Sequence, residues 1–146
     1  MKRNALVLAL GIAPSFAYGQ SIERINPDGL AKPATYSHVV KVGKLLFISG
    51  QVAFDPAGNL VGENDMKAQV RQVLENLKTA LASQKADFSN VVKINTFTTD
   101  VDAYLAVAEV RAEYFKGHLP ASTLVQISKL ARPGLLVEIE AIAALP

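Results

Sequence analysis

The sequence predicts an α+β domain in which two helices pack on one face of a β-sheet. One long segment repeats its apolar residues every three or four positions, which is typical of an amphipathic helix. Several short segments are rich in β-branched residues and are separated by turn residues, which is typical of strands. In chain order the elements read β-β-β, α, β, α, β-β. Half of the 146 residues are hydrophobic, which favours one folded domain over disorder.

The first half of the chain holds three predicted strands and the longer helix. Residues 21–25, 37–42 and 45–51 are extended, and Gly43-Lys44 forms a two-residue hairpin turn between the last two. Residues 65–83 form a helix. The apolar positions that define its buried face are Met66, Val70, Val73, Leu74, Leu77 and Leu81.

The second half holds one strand, a helix and two final strands. Residues 90–99 are rich in Val, Ile, Thr and Phe, and Asp100 can cap the helix that follows. The last two strands span residues 122–128 and 136–142. The buried stripe of the second helix is expected to comprise Val101, Tyr104, Leu105, Ala108, Ala112 and Phe115.

The last two strands predict what each sheet face contains, because alternate residues point to opposite faces. One face should pack on the helices and the other should combine apolar residues with carboxylates. Such a mixed face suggests a subunit contact with a polar cleft, and an ordinary sheet surface is the alternative. The helix-side set is Thr123, Val125, Ile127, Val137, Ile139 and Ala141; the mixed set is Ser122, Leu124, Gln126, Ser128, Leu136, Glu138, Glu140 and Ile142.

The charge distribution argues against nucleic acid as a partner. The chain has 15 Lys and Arg against 13 Asp and Glu, a net charge of +2. Lys2 and Arg3 account for that surplus, so the chain after residue 20 is neutral. A neutral body lacks the field of a nucleic-acid binder or a polybasic membrane patch. The absence of cysteine excludes disulfides, thiolate zinc sites and a cysteine nucleophile, and with only two histidines no metal site is predicted.

The first nineteen residues have the layout of a secretory signal peptide. Lys2 and Arg3 precede an apolar run over residues 5–13, and small residues follow at Ala17 and Gly19. The run is too short for a transmembrane helix, which needs about 20 apolar residues. We therefore expect residues 1–19 to be removed, residues 20–146 to form the mature domain, and the protein to be periplasmic or secreted. The alternative is a hydrophobic first strand or helix of a cytoplasmic domain.

No strong catalytic motif is present: the chain has no Gly-rich phosphate loop, serine nucleophile elbow or HExxH helix. The segments that remain are Ser49-Gly50-Gln51 at a strand end, residues 120–123 entering a strand, and residues 137–141 in the last strand.

Four segments, in register over residues 22–144, resemble the RidA/YjgF (reactive intermediate deaminase) family. They are Leu46-Phe-Ile-Ser-Gly-Gln51, Asn90-Val-Val-Lys through Phe97, Tyr114-Phe115 before Pro120-Ala121, and the terminal Val-Glu-Ile-Glu-Ala-Ile-Ala. The resemblance implies a chorismate-mutase-like α+β fold and a homotrimer with clefts between subunits. It also implies hydrolysis of enamines and imines, such as 2-aminoacrylate, to keto acids and ammonia, without a metal or organic cofactor.

The resemblance assigns candidate roles to individual residues. Glu140 matches the terminal-strand glutamate that positions water and helps move its proton; a surface glutamate is the alternative. Tyr36 lies in the region of a tyrosine that closes the pocket, and a packing role is equally open. Ser49, Gly50 and Gln51 match the strand-end motif near the cleft, although Gly50 could serve only the backbone turn.

The departures from the family pattern concern substrate anchoring. After the Pro-Ala pair, deaminating members carry an arginine that clamps the substrate carboxylate, and here that position is Ser122. Leu124 stands where a cysteine is common, and Ala108 where those members have an asparagine. Arg132 could supply a guanidinium from another direction, although a surface loop arginine is the commoner explanation.

Three functions therefore stay open. The first is an exported enamine or imine deaminase whose substrate lacks a carboxylate or is held differently. The second is a non-catalytic trimeric protein that binds a small ligand in the same fold. The third, a ribonuclease or translation inhibitor, is disfavoured by the neutral charge and the predicted export.

Overall fold

The computed structural model describes residues 21–146, which form a six-stranded sheet with the helices on one face. The predicted signal segment lies outside the described residues, and the domain boundaries stay a prediction. The sheet order is β1-β2-β3-β6-β4-β5, with only β4 and β5 parallel. The strands are β1 (Ile22–Ile25), β2 (Val39–Val42), β3 (Leu45–Gln51), β4 (Val91–Thr98), β5 (Ala121–Gln126) and β6 (Val137–Ala144); the helices are α1 (Met66–Ala82), α2 (Val101–Leu105) and α3 (Ala108–Phe115). The α+β prediction is confirmed.

The helix predicted over residues 65–83 is present as α1. Asp65 caps it, its side chain accepting a hydrogen bond from the backbone N–H of Ala68 at 3.0 Å. The apolar positions chosen from the sequence are buried against the sheet. Because the period and the cap agree, the local sequence suffices to define this element.

The second helix is wrong as predicted, because a turn at residues 106–107 divides it into α2 and α3. The turn changes which residues face the sheet: Tyr104, Val110 and Phe115 are buried, whereas Leu105 is 56% exposed. Ala108 and Ala112, also expected inside, are exposed. The buried positions were predicted by assuming one continuous helix, and the 3.6-residue period does not continue across such a break.

The predicted sheet faces are confirmed for β6 and wrong for β5. Val137, Ile139 and Ala141 are buried on the helix side. In β5, however, Leu124 pairs with buried Thr96 of β4 and packs against the core, so Ser122 and Gln126 also point to the helix side. Thr123 and Val125 lie on the open face instead. Because β5 is an edge strand with little burial on either face, its polar–apolar alternation does not report the core side.

Gln69 of α1 fastens the loop before β6 to the helix. Its side chain is fully buried, and its Nε2 donates to the carbonyl oxygens of Gly62 at 3.0 Å and Gly134 at 2.7 Å. Its Oε1 accepts from the backbone N–H of Leu136 at 2.8 Å. One buried side chain thereby satisfies three backbone groups that lie in loops.

Replacing Gln69 by leucine is expected to lower the free energy of unfolding by about 3 kcal/mol or more, because three backbone groups lose their buried partner. Urea denaturation of the variant and the unmodified protein measures the difference. Gln84→Leu is the control, since among residues 21–146 the Gln84 side-chain amide bonds only to its neighbour Ser83. An equal loss in both variants would show that the Gln69 bonds contribute no special stability.

Within residues 21–146, no helix is long and apolar enough to cross a membrane. The same residues contain no group of three or more His, Cys, Asp or Glu side chains placed to hold a metal ion.

Candidate active site

A cleft of about 710 Å³ opens beside the end of β3. Its walls come from the segment before β2, the turn that follows β3 and the loop that precedes β6. The lining residues whose side chains can ionise or form hydrogen bonds include Lys32, Tyr36, Ser49, Arg132 and Glu138. Three loops distant in sequence therefore meet where the sequence placed the Ser49-Gly50-Gln51 motif.

An irregularity in β3 creates the floor of the cleft. Ile48 pairs with Ala141 and Gln51 pairs with Ile139, so three steps along β3 match two along β6. This extra residue is a β-bulge, which re-aims side chains at the end of a strand. The bulge places Gly50 directly over the side chain of Glu138.

Gly50 is required by close approach, not by a turn. A Cβ atom at this position would lie 1.8 Å from Oε1 of Glu138 and 2.6 Å from its Cδ. Gly50 is absent from the glycines with positive φ, so backbone conformation is not the reason for glycine here. Only a residue without a side chain leaves room for the Glu138 carboxylate in this position.

Glu138 is the carboxylate of this cleft, and sequence reasoning did not assign it a role. It lies on the open face opposite Phe97 of β4 and is half-buried. Burial raises its pKa, and the nearby charge of Glu140 raises it further. A carboxyl with a raised pKa in a cleft is a better proton acceptor than an ordinary surface glutamate. Its position on the mixed face, two residues before Glu140, was the only sequence signal available.

Tyr36 lines the cleft and is 51% exposed, and its role in closing the pocket stays a prediction. Its ring meets His38 edge-on, with the ring centroids 5.3 Å apart. Burial raises the pKa of the Tyr36 hydroxyl, Glu138 raises it further, and Arg132 lowers it. The hydroxyl therefore stays protonated near neutrality and is available as a hydrogen-bond donor.

His38 and Gln51 support the cleft from behind. His38 Nε2 lies 2.8 Å from the carbonyl oxygen of Ala31, and its Nδ1 lies 3.3 Å from Nε2 of Gln51. Gln51, predicted to bind substrate, is only 2% exposed and also donates to the Ser49 carbonyl at 2.8 Å. The Gln51 side chain thus holds the bulge and the histidine, and does not line the cleft.

Ser49 lies between this cleft and a smaller hollow of about 260 Å³ on the open sheet face. Its Oγ donates to the carbonyl oxygen of Ser37 at 2.7 Å. Glu140 lines the smaller hollow together with Lys93 and Asn95, and it accepts a hydrogen bond from Asn95 Nδ2 at 2.7 Å. Glu140 therefore lies in a different hollow from Tyr36 and Gly50. The catalytic role of Glu140 stays a prediction.

Ser122 and Leu124 are two further predicted site residues that do not line the cleft. Both point to the helix side of edge strand β5, away from the open face that carries Glu138 and Glu140. Ser122 is exposed, and Leu124 packs against the core. Their assignment to substrate binding stays a prediction.

The fold and the cleft define the chain as an α+β protein with a carboxylate-bearing cleft beside the end of β3. The family model described as Endoribonuclease L-PSP matches residues 28–145. Protein DfrA of Myxococcus xanthus is 46% identical over 110 residues, covering 74% of this chain and 83% of that protein. The 2-iminobutanoate/2-iminopropanoate deaminase of Mus musculus is 39% identical over 108 residues, covering 74% and 79%.

A solved structure supports the same family assignment as these sequence relatives. The crystal structure of YyfA from Yersinia pestis, described as a conserved Rid family protein of unknown function, has a TM-score of 0.80 and 34% identity, covering 86% of this chain and all of that one. The chain therefore belongs to the RidA/YjgF family, as its motifs indicated.

Proposed function

We propose that the protein hydrolyses enamines or imines to carbonyl compounds and ammonia. The single observation that carries this proposal is the Glu138 carboxylate, half-buried beneath Gly50 and facing the same cleft as Tyr36. The relationship to the deaminase of Mus musculus supports the same reaction. Glu138 takes the role that the family resemblance suggested for Glu140, because Glu138 is the glutamate in the cleft.

The reaction requires one water and one well-placed proton acceptor. An enamine first takes a proton on carbon and becomes an iminium ion; an imine enters in the same protonated form. Water then attacks the iminium carbon while Glu138 accepts a proton from the water, giving a neutral carbinolamine. Glu138 returns this proton to the nitrogen, and the C–N bond breaks as the hydroxyl gives up its proton to Glu138, so ammonia leaves and the carbonyl forms. Tyr36 can donate a hydrogen bond to the nitrogen or oxygen as charge develops.

The proposal is tested with imines made in the assay. An amino-acid oxidase supplies 2-imino acids and a dehydratase supplies 2-aminoacrylate, and the release of keto acid is followed with and without the protein. Faster release than the spontaneous rate supports the proposal. No acceleration with any imine would contradict it.

A non-catalytic ligand-binding function is the second candidate. It is favoured by Ser122, which stands where deaminating members carry the carboxylate-binding arginine. Binding of 2-oxobutanoate without any acceleration of imine hydrolysis would support this candidate over the first.

A homotrimer with clefts between subunits is part of the proposal. Large hydrophobic side chains are exposed on the open sheet face, among them Phe47 at 42% and Val125 at 42%. Burying them between subunits would remove apolar surface from water. Light scattering of the purified protein decides the point, and a monomer would contradict it.

Export completes the proposal, with residues 1–19 as the signal. The positive, apolar and small-residue regions of that segment support it. Fractionation of cells that express the whole chain tests the assignment, and an uncleaved cytoplasmic product would refute it.

A further inference from the structure

We infer that Arg132 is the specificity-determining residue of the cleft and binds the carboxylate of a 2-imino acid substrate. This inference rests on the proposed function, since it names the substrate class of the same site. Arg132 lines the cleft with Tyr36 and Glu138, and it comes from the loop before β6 instead of from β5. A cation at this position restores the anchoring charge that Ser122 lacks.

The guanidinium is held in place by an aromatic ring. Its Cζ lies 5.0 Å from the ring centroid of Phe54, which also lines the cleft. Stacking on an aromatic face orients the planar group and leaves its edge donors available. Within residues 21–146, none of the four ion pairs and no side-chain hydrogen bond involves Arg132. Its donors are therefore available for a ligand.

The loop that carries Arg132 is anchored at both ends. Ile127 N–H donates to the carbonyl oxygen of Thr98 at 2.8 Å, and Thr99 N–H donates to that of Leu136 at 3.0 Å. The buried Gln69 side chain binds Gly134 and Leu136, within four residues of the arginine. Gly134 has φ +82° and lies so close to Leu60 that a Cβ would be 2.7 Å from its Cδ2. The backbone around Arg132 is thus fixed before any ligand arrives, which lowers the entropic cost of binding.

Charge and geometry together define the ligand. Arg132, Tyr36 and Glu138 line the same cleft, and the charges of Glu138 and Arg132 shift the pKa of the Tyr36 hydroxyl in opposite directions. A 2-imino acid has its carboxylate one bond from the imine carbon. Such a substrate would place the carboxylate toward Arg132 and the reacting carbon toward Glu138. A planar guanidinium can hold the carboxylate through two parallel hydrogen bonds.

The test compares ligands that differ only in the carboxylate. Binding of 2-oxobutanoate and of its neutral counterpart 2-butanone is measured by calorimetry or NMR titration. Arg132→Gln is expected to weaken 2-oxobutanoate binding at least about tenfold, because charge-assisted bonds are lost. Binding of 2-butanone should change less than about threefold, since it offers no charge to the guanidinium. Arg132→Lys should recover part of the loss, because it keeps the charge without the fork.

Two further variants test whether Arg132, and not another cation nearby, binds the carboxylate. Lys129→Gln removes a charge from the same loop but outside the cleft lining, and it should leave 2-oxobutanoate binding unchanged. Lys32→Gln removes the other cation of the lining. Unchanged 2-oxobutanoate binding in Arg132→Gln would overturn the inference, as would a loss confined to Lys32→Gln.

The binding readout separates this inference from the proposed function. If no imine is hydrolysed but Arg132→Gln still loses 2-oxobutanoate binding, the proposed function fails and the assignment of Arg132 stands. If imines are hydrolysed and the variant treats 2-iminobutanoate and the imine of 2-butanone alike, the assignment of Arg132 fails alone.

Discussion

Replacing Glu138 by glutamine is expected to reduce kcat/KM for imine hydrolysis by about 100- to 10,000-fold, the range typical of a lost general base. The amide keeps the size of the side chain and still fits beneath Gly50, but it cannot accept a proton from water. Steady-state release of keto acid, measured over the spontaneous rate, gives the effect. Circular dichroism and thermal unfolding establish that the variant is folded.

Glu140→Gln is the matched control, because it makes the same chemical change two residues away on the same sheet face. We expect it to retain most activity, since Glu140 is bonded to Asn95 in the neighbouring hollow. Loss of activity in Glu140→Gln with full activity in Glu138→Gln would reverse the assignment of the two residues.

The pH profile gives an independent readout of the same pair. The active form of Glu138 is the carboxylate, so activity should fall as the pH drops through its raised pKa. Burial is the main reason why that pKa is raised, and the charge of Glu140 is the second. Removing that charge in Glu140→Gln should lower the pKa of Glu138 and move the acid limb to lower pH. If the acid limb does not move, the charge of Glu140 does not affect the pKa of the group that accepts the proton.

Gly50→Ala is expected to have the second largest effect, lowering kcat/KM by about 100-fold through misplacement of the carboxylate. The new Cβ would lie 1.8 Å from Oε1, 2.6 Å from Cδ and 2.8 Å from Cγ of Glu138. Nearly the whole glutamate side chain must therefore turn away from its position in the cleft. The same assay of keto-acid release measures the loss.

The stability of Gly50→Ala shows whether the clash is the cause. Overpacking of this kind costs about 1–3 kcal/mol of unfolding free energy. Adding Glu138→Ala to Gly50→Ala removes the atoms that collide, so the double variant should recover that loss. Full activity in Gly50→Ala would mean that the close approach of these two residues has no part in the reaction.

The second helix and the edge strand show where local sequence stops being informative. The stripe drawn through residues 101–115 assumed one continuous helix, and the turn at residues 106–107 left Leu105 exposed. In β5 the β-branched residues Thr123 and Val125 suggested a core side, yet strand pairing directs them to the open face. The long helix α1 was predictable because its cap and its period agree over four turns.

Some residues of the candidate site could be predicted from the sequence, and others could not. Tyr36, Ser49 and Gly50 were chosen from motifs, and the fold brings them to one cleft. The two glutamates of β6 lie on the same face, so alternation alone does not distinguish them. The β-bulge in β3 decides between them by placing Gly50 over Glu138.

The family, the α+β class and the carboxylate-bearing sheet face follow from the amino-acid sequence alone, because they depend on ordered motifs and on period-2 and 3.6-residue patterns. Which carboxylate and which arginine line the cleft depends on contacts between segments that are distant in the chain. The positions of these side chains depend on a one-residue bulge and on the pairing of strands far apart in the chain, and neither can be predicted from the local sequence.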